Sequence, residues 1–295
     1  MSVGVHNGLV VETNLDPTIQ PFLYDHQIDG TPVLPGVMGV EAFAEAAASL
    51  LPGWHVEAVE EVNFLAPFKF YRNAPRVVSI QAVLHPQGDK VVAECRLIGR
   101  RTLPNQTEPQ ETTHFTARVR LEKQPTKAPT ANLPAAANGS IVEAADVYRV
   151  YFHGPAYQVV ERAWRDGDRM VGQMSAGLPS NHQPPELPTL VAPRLIELCF
   201  QTAGLWQLTV QGLMGLPLYV QQVRLWRAPE SVEGQFYAVV TPHPEQQTFD
   251  ANVVDVKGNC CIQVIGYKTV VLPDSVEAEK LKALQAAMDQ QPALA

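Results

Sequence analysis

Apolar positions between Val37 and Leu51 recur at helical spacing: Val37, Val40, Phe43, Ala44, Ala47 and Leu51 share a face, which predicts a helix over about 37–51. The period then changes. Val77, Ser79, Gln81 and Val83 alternate with Val78, Ile80, Ala82 and Leu84, and Gly88-Asp89 turns the chain into a strand over 91–98. Phe115, Ala117, Val119 and Leu121 alternate with Thr116, Arg118 and Arg120, as in a half-buried strand. The same order returns downstream. A strand-like stretch at 170–175 precedes a predicted helix over 194–208, with Leu195, Leu198, Cys199, Ala203 and Trp206 apolar. Strand patterns follow at 219–226, 235–241, 251–256 and 260–272, with Lys257-Gly258-Asn259 as a tight turn. His85-Pro86 and His243-Pro244 each close a strand at comparable places.

Each half therefore reads as one helix followed by an antiparallel meander. One helix per half cannot connect many parallel strands, which argues against a doubly wound sheet. A sheet curled around its own helix would bury that helix all round, and a crevice between two such units is a natural place for a site. Residues 124–139, rich in Pro, Ala and Thr, read as a linker. The stretch after Pro273 reads as a polar helix that starts an interdomain connector rather than joining the core.

Composition narrows the function class. Of the 295 residues 46% are hydrophobic and 18% charged, which fits a globular core. No apolar run approaches a membrane span and no signal-peptide pattern opens the chain, so a cytoplasmic protein is expected. Net charge is −8 with scattered basic residues, which leaves no stripe for nucleic acid. The four cysteines, Cys95, Cys199, Cys260 and Cys261, form no CxxC pair, so neither a metal site nor a disulfide framework is indicated.

Chemistry concentrates in three places. In the segment from Asp25 to Gly36, His26 is followed by Gly and Pro residues that frame a loop, and Pro35-Gly36 stands where a helix begins. Free N–H groups at that helix start can receive developing negative charge, and a base beside them suits removal of a proton alpha to a thioester carbonyl. The plainer alternative is a loop histidine satisfied by a backbone carbonyl. Glu197 and Gln201, four apart, share one face of the second helix among apolar neighbours. Such surroundings should raise the Glu197 pKa, as a general acid requires, unless that face simply meets water. The run from Tyr148 to Tyr157 interleaves aromatics with Gly154-Pro155 and suggests a shaped loop close to a ligand. In it His153 is a second candidate base, although a histidine in a Gly-Pro turn is more often structural.

In this order the segments resemble the dehydratase domains of polyketide synthases and animal-type fatty acid synthases. His26-x-x-x-Gly30-x-x-x-x-Pro35 matches the HxxxGxxxxP motif, and Phe152-His153-Gly154-Pro155-Ala156-Tyr157 looks like GYxYGPxF with substitutions. Residues 192–201 are similar to HPALLDxxxQ, and Leu216-Pro217-Leu218-Tyr219 to LPFSW. The resemblance spans about 10–273, and the wording after Thr31 looks like the variant in polyunsaturated-fatty-acid and enediyne-related synthases. One departure matters: Glu197 stands where the family has its catalytic Asp. Glu has the same chemistry with one more methylene, so either the pocket is adjusted to the longer arm or activity is reduced.

The resemblance implies an α+β double hotdog, with hotdog units at 1–123 and 140–273, the 124–139 linker between them and a helical tail at 274–295. It implies a dehydratase acting on 3-hydroxyacyl chains carried by the phosphopantetheine of an acyl carrier protein, with no metal or organic cofactor. His26 and Glu197 would be catalytic, and Gly36, Val37, Gln201, Gly154, Pro155 and Tyr157 would bind substrate. Other domains of a synthase would be partners, and a homodimer is compatible. Two rivals stay open: a product-template-like cyclase or enoyl isomerase on the same fold, and a non-catalytic acyl-binding or dimerisation module.

Overall fold

A computed structural model describes residues 2–4, 8–101, 108–137, 140–226, 234–271 and 278–289. The first half runs β1 (Ser2–Gly4), β2 (Gly8–Leu15), α1 (Pro21–Tyr24), the short strands β3 (Gln27–Ile28) and β4 (Thr31–Pro32), α2 (Gly36–Leu50), β5 (His55–Phe64), β6 (Arg76–Gln87), β7 (Lys90–Arg101) and β8 (Gln110–Glu122). The second runs β9 (Ile141–Glu143), α3 (Ala144–Val147), β10 (Val160–Asp166), β11 (Arg169–Met174), α4 (Pro193–Trp206), β12 (Gly215–Leu225), β13 (Phe236–His243), β14 (Thr248–Asp255), β15 (Cys260–Val271) and α5 (Ala278–Asp289).

All the strands except β3 and β4 join one antiparallel sheet in the order β1-β2-β6-β7-β8-β5-β12-β15-β14-β13-β11-β10-β9. The two halves share one topology. In each, the strand before the long helix pairs with the second strand after it, and the first strand after it crosses to the far side. Those crossing strands, β5 and β12, meet at the centre with Val59 opposite Val223 and Asn63 opposite Tyr219. Gln222 Nε2 donates to Glu60 at 2.8 Å and Arg224 Nη2 to Glu57 at 2.7 Å across the seam. The fold is an α+β double hotdog.

A helix followed by a plain meander is thus an incomplete description. Strands also precede each helix, and β5 lacks a clean alternation because bulges interrupt it between Val56 and Ala58 and between Glu60 and Asn63. Glu61, at the second bulge, has φ of 50°.

The long helices lie inside the curl of the sheet. Every residue of α4 except Arg194 is buried, and α2 buries Val37, Val40, Phe43, Ala44 and Ala47. Close approach is set by glycine: a Cβ on Gly39 would sit 2.5 Å from the Phe115 ring, and one on Gly172 only 2.1 Å from Thr202 Oγ1. Each fully buried Phe or Leu here contributes roughly 1.5–3 kcal/mol by leaving water. All four cysteines are buried.

Two expectations about the connections change. The stretch read as a linker lies along the second half: Ala131 N donates to Gly258 O at 2.8 Å, and Trp164 Nε1 to Ala135 O at 3.1 Å. The tail helix was expected outside the core, yet α5 buries Leu284 and Met288 in it. Its polar composition hid a narrow apolar stripe of residues four apart.

One buried carboxylate ties the halves together. Glu41 on α2 accepts the N–H of Val191 at 2.9 Å and that of Leu190, just before α4. Burial pushes its pKa up to about 7, against the lowering effect of those two N–H groups. Glu41→Ala leaves both donors without this acceptor and is expected to cost roughly 2 kcal/mol or more, read as a lower denaturant midpoint.

Candidate active site

His26 sits between α1 and a tight hairpin. The β3–β4 turn has Asp29 and Gly30 both at positive φ (49° and 70°), the conformation that an Asp-Gly pair supplies. This folds Val33 back on His26: Val33 N donates to His26 O at 3.0 Å, and His26 Nδ1 lies 2.7 Å from Val33 O. A carbonyl only accepts, so Nδ1 carries the hydrogen and Nε2 keeps a lone pair. Burial and the neighbouring His153 bring the His26 pKa down to about 4, although Glu197 and the Val33 carbonyl act the other way. The ring is therefore neutral at physiological pH. Beyond the hairpin α2 starts at Gly36 without a side-chain cap. A Cβ on Gly36 would sit 2.6 Å from the Phe64 ring, so glycine lets the helix start approach the cavity.

Glu197 and Gln201 lie on the buried face of α4, one turn apart. Gln201 Nε2 donates to Glu197 Oε1 at 3.0 Å and to Tyr157 O at 2.9 Å. Its own Oε1 accepts Tyr148 O–H at 2.8 Å, and Tyr151 O–H donates to its carbonyl at 2.7 Å. The amide is fully engaged, and its orientation toward Glu197 is set by the tyrosines.

The sequence brought His153 no firm role, but the structure puts it at the centre. Its loop is pinned to the His26 loop: Gly154 N donates to Asp25 O at 2.7 Å and Ala156 N to Asp25 Oδ2 at 2.8 Å. A Cβ on Gly154 would lie 2.5 Å from Asp25 Oδ1, so only glycine permits the contact. The His153 ring stacks on Phe152 with centroids 4.4 Å apart, stands 5.4 Å from the His26 ring, and places Nε2 3.2 Å from Glu197 Oε1. The raised Glu197 pKa expected from apolar neighbours is overturned. Burial alone would raise it, but the His153 hydrogen bond, the two neighbouring histidines and the Gln201 amide outweigh that and hold it below the usual value.

These groups line one end of a cavity of about 410 Å³ between the two halves. Its remaining wall is mostly apolar, with Phe64, Phe115, Phe200, Leu208, Met214 and Leu216 to Leu218 among the lining residues. Of the residues expected at the site, His26, Gly36, Glu197 and Gln201 line the cavity. Val37, Gly154, Pro155 and Tyr157 do not. Val37 is buried in the hydrophobic core, Gly154 and Pro155 shape the loop behind His153, and buried Tyr157 packs 6.0 Å from the His26 ring. Missed by sequence were the His153–Glu197 contact and the tyrosine brace on Gln201; the aromatic run 148–157 was their only signal. Chemically, a bare imidazole nitrogen and a carboxyl bound to two donors share a largely apolar pocket with an uncapped helix start.

Comparisons with known proteins bear on the family and the fold. The family model described as polyketide synthase dehydratase N-terminal domain matches residues 121–279, and that described as polyketide synthase dehydratase domain matches residues 1–95. Polyketide synthase ThaG of Burkholderia thailandensis is 25% identical over 205 residues, which cover 67% of this chain but 3% of that protein. Among solved structures, the dehydratase domain from the CurF module of the curacin polyketide synthase superposes with a TM-score of 0.73 at 18% identity, over 92% of this chain and 96% of that one. A trans-AT dehydratase domain from Brevibacillus brevis gives the same figures. The dehydratase domain of RzxB from Pseudomonas fluorescens gives 0.69 at 14%, over 91% and 96%.

Proposed function

Because the chain belongs to the polyketide synthase dehydratase family, we propose that it removes water from 3-hydroxyacyl thioesters carried on an acyl carrier protein, leaving trans-2-enoyl thioesters. The observation that carries this reading is the meeting of His26, with its bare Nε2, and the Glu197 carboxyl in one largely apolar cavity. Two CurK dehydratase structures described as inactive mutants carry a His-to-Phe and an Asp-to-Asn exchange, which supports a histidine and a carboxyl as the working pair.

His26 Nε2 takes a proton from C2. The N–H groups at the start of α2, near Gly36 and Val37, meet the charge that develops on the thioester oxygen. The C3–O bond breaks with its electron pair on oxygen, and Glu197 gives that oxygen a proton so that water leaves. Glu197 rests as a carboxylate, so it takes one proton from solvent as substrate enters, and the proton that His26 gains from C2 returns to solvent after product leaves. Gly154, Pro155 and Tyr157 serve by shaping the loop that carries His153. The units of this reading are hotdogs at 1–123 and 140–273, in a cytoplasmic synthase with further domains.

The test is incubation with a 3-hydroxyacyl-pantetheine thioester or its carrier-bound form, followed by mass spectrometry for loss of one water. No loss of water but a shifted double bond when a 2-enoyl thioester is supplied, read by NMR, would favour an isomerase, and no turnover of either substrate a binding module. The pH profile adds a sharper check. Below its pKa His26 is protonated and cannot accept, so the acidic fall in kcat/KM should centre near pH ~4 rather than at the ordinary histidine value.

A further inference from the structure

We propose that the second half holds a further ligand site, apart from the catalytic cavity, which takes a small neutral molecule through a carbonyl oxygen. A cavity of about 330 Å³ opens where α4 runs out against the turn between β13 and β14. Among the described residues it shares no lining residue with the cavity that holds His26 and Glu197. Trp206, Gln207, Thr248 and Phe249 are buried and form its floor. Gln211, Pro244 and Gln247 are exposed and mark its rim. Its volume lies in the ordinary range for small-molecule sites. The His243-Pro244 pair that closes β13, unused by the reaction, belongs to its wall.

Two donors in the floor lack an acceptor. The Trp206 indole N–H is wholly buried with no hydrogen-bond partner among the described residues. Native structures rarely leave such a group unpaired, and a ligand oxygen in the cavity would satisfy it. The ring is held in place by an edge-to-face contact with Phe249, with centroids 5.6 Å apart. Next along the chain, Gln207 Oε1 accepts the Thr269 hydroxyl at 3.0 Å. That bond turns the Gln207 NH₂ group away from Thr269 and leaves it without an acceptor among the described residues. Residues Gln207–Gln211 are wound as a π-helix that ends on Gly212 at φ of 71°. Such widened turns occur frequently at functional sites.

The charge pattern selects the ligand class. No described Lys, Arg, Asp or Glu lines the cavity. An anion would enter without a counter-charge, and a cation would meet no carboxylate, so either would lose its hydration uncompensated. The nearby Asp250 is engaged by His243 Nε2 at 3.1 Å and by the Gly266 N–H at 2.8 Å. A neutral molecule with an oxygen acceptor and an apolar body fits what remains. A thin wall parts the two cavities: Gln207, Leu213 and Thr269 line this one, while their neighbours Leu208, Met214 and Val270 line the catalytic one. Gly215 seals the wall, since a Cβ there would collide with Gln207 Oε1 and lie 2.6 Å from Thr269 Cβ.

The test uses δ-decalactone, a neutral lactone with an alkyl tail, and decanoate as a charged counterpart of equal carbon count. In the isotope-labelled full chain, the Trp206 indole N–H resonance, assigned by Trp206→Phe, should move downfield in a saturable NMR titration with the lactone. Decanoate should need a concentration higher by about tenfold or more. Gln207→Leu removes the second donor and should weaken lactone binding by about tenfold. Gln211→Phe narrows the exposed rim and should weaken it similarly, with an unchanged melting temperature. A Trp206 resonance that stays still, or that moves equally with decanoate, would overturn the site. So would unchanged affinity in both variants, or shifts confined to the Phe152, Gly204 and Leu218 amides, which would put the lactone in the catalytic cavity. The titration needs no turnover, so a failure of the dehydration reading would leave its outcome intact.

Discussion

His26→Ala is expected to lower water release from a 3-hydroxyacyl thioester by about a thousandfold or more, to the limit of detection by mass spectrometry. Three features of the residue lead to this size of effect. The Val33 carbonyl, 2.7 Å from Nδ1, selects the tautomer that leaves Nε2 free. Burial holds the ring neutral far below physiological pH. The ring also lines the cavity end that holds Glu197, so no second base stands ready: His153 Nε2 is engaged with Glu197. The variant should still fold, because the backbone bond from Val33 N to His26 O and the Asp29-Gly30 turn do not need the imidazole. A melting temperature close to wild type, together with lost turnover, would separate catalysis from stability. Turnover within about tenfold of wild type would remove His26 from the role of base.

Glu197→Gln should come next in size, with kcat lower by about a hundred- to a thousandfold. The amide fills the same space but has no acidic proton to give. It also meets two donors, Gln201 Nε2 and His153 Nε2, with an oxygen or an NH₂ that cannot serve both as the carboxylate does. Glu197→Asp should fall between wild type and Glu197→Gln, since it keeps the acid but withdraws it from donors placed for the longer arm. An Asp variant faster than wild type would mean that the pocket is not adjusted to Glu. Single-turnover kinetics on a carrier-bound substrate would measure the chemical step without product release.

Much of this architecture is local in origin and could be read early. The helices at 36–50 and 193–206 follow from apolar spacing, and the strands at 76–87, 90–101 and 110–122 from alternation. Strands that bulge, such as β5, lose that alternation and escape notice. A helix that buries only a narrow stripe, such as α5, looks solvated when judged by composition. The site divides in the same way. His26 was marked by the Gly and Pro residues that shape its loop, and Glu197 with Gln201 by a four-residue spacing that any helix would turn to one side. His153 had no such mark, because its partner lies on a different element and the contact depends on how the two loops pair through Asp25.

From residue order alone come the twofold repeat, the periods that make helix and strand, the turn chemistry around His26 and the shared face of Glu197 and Gln201. All depend on interactions within a few residues. Folding in three dimensions settled the rest: the crossing of β5 to β12, which residues of the aromatic loop reach the wall, and the charge on Glu197. Apolar neighbours along α4 argued for a raised pKa, and desolvation does push it that way. The sign is reversed by a hydrogen-bond donor from a distant loop, and a donor a few ångströms away outweighs any average over the surrounding sequence.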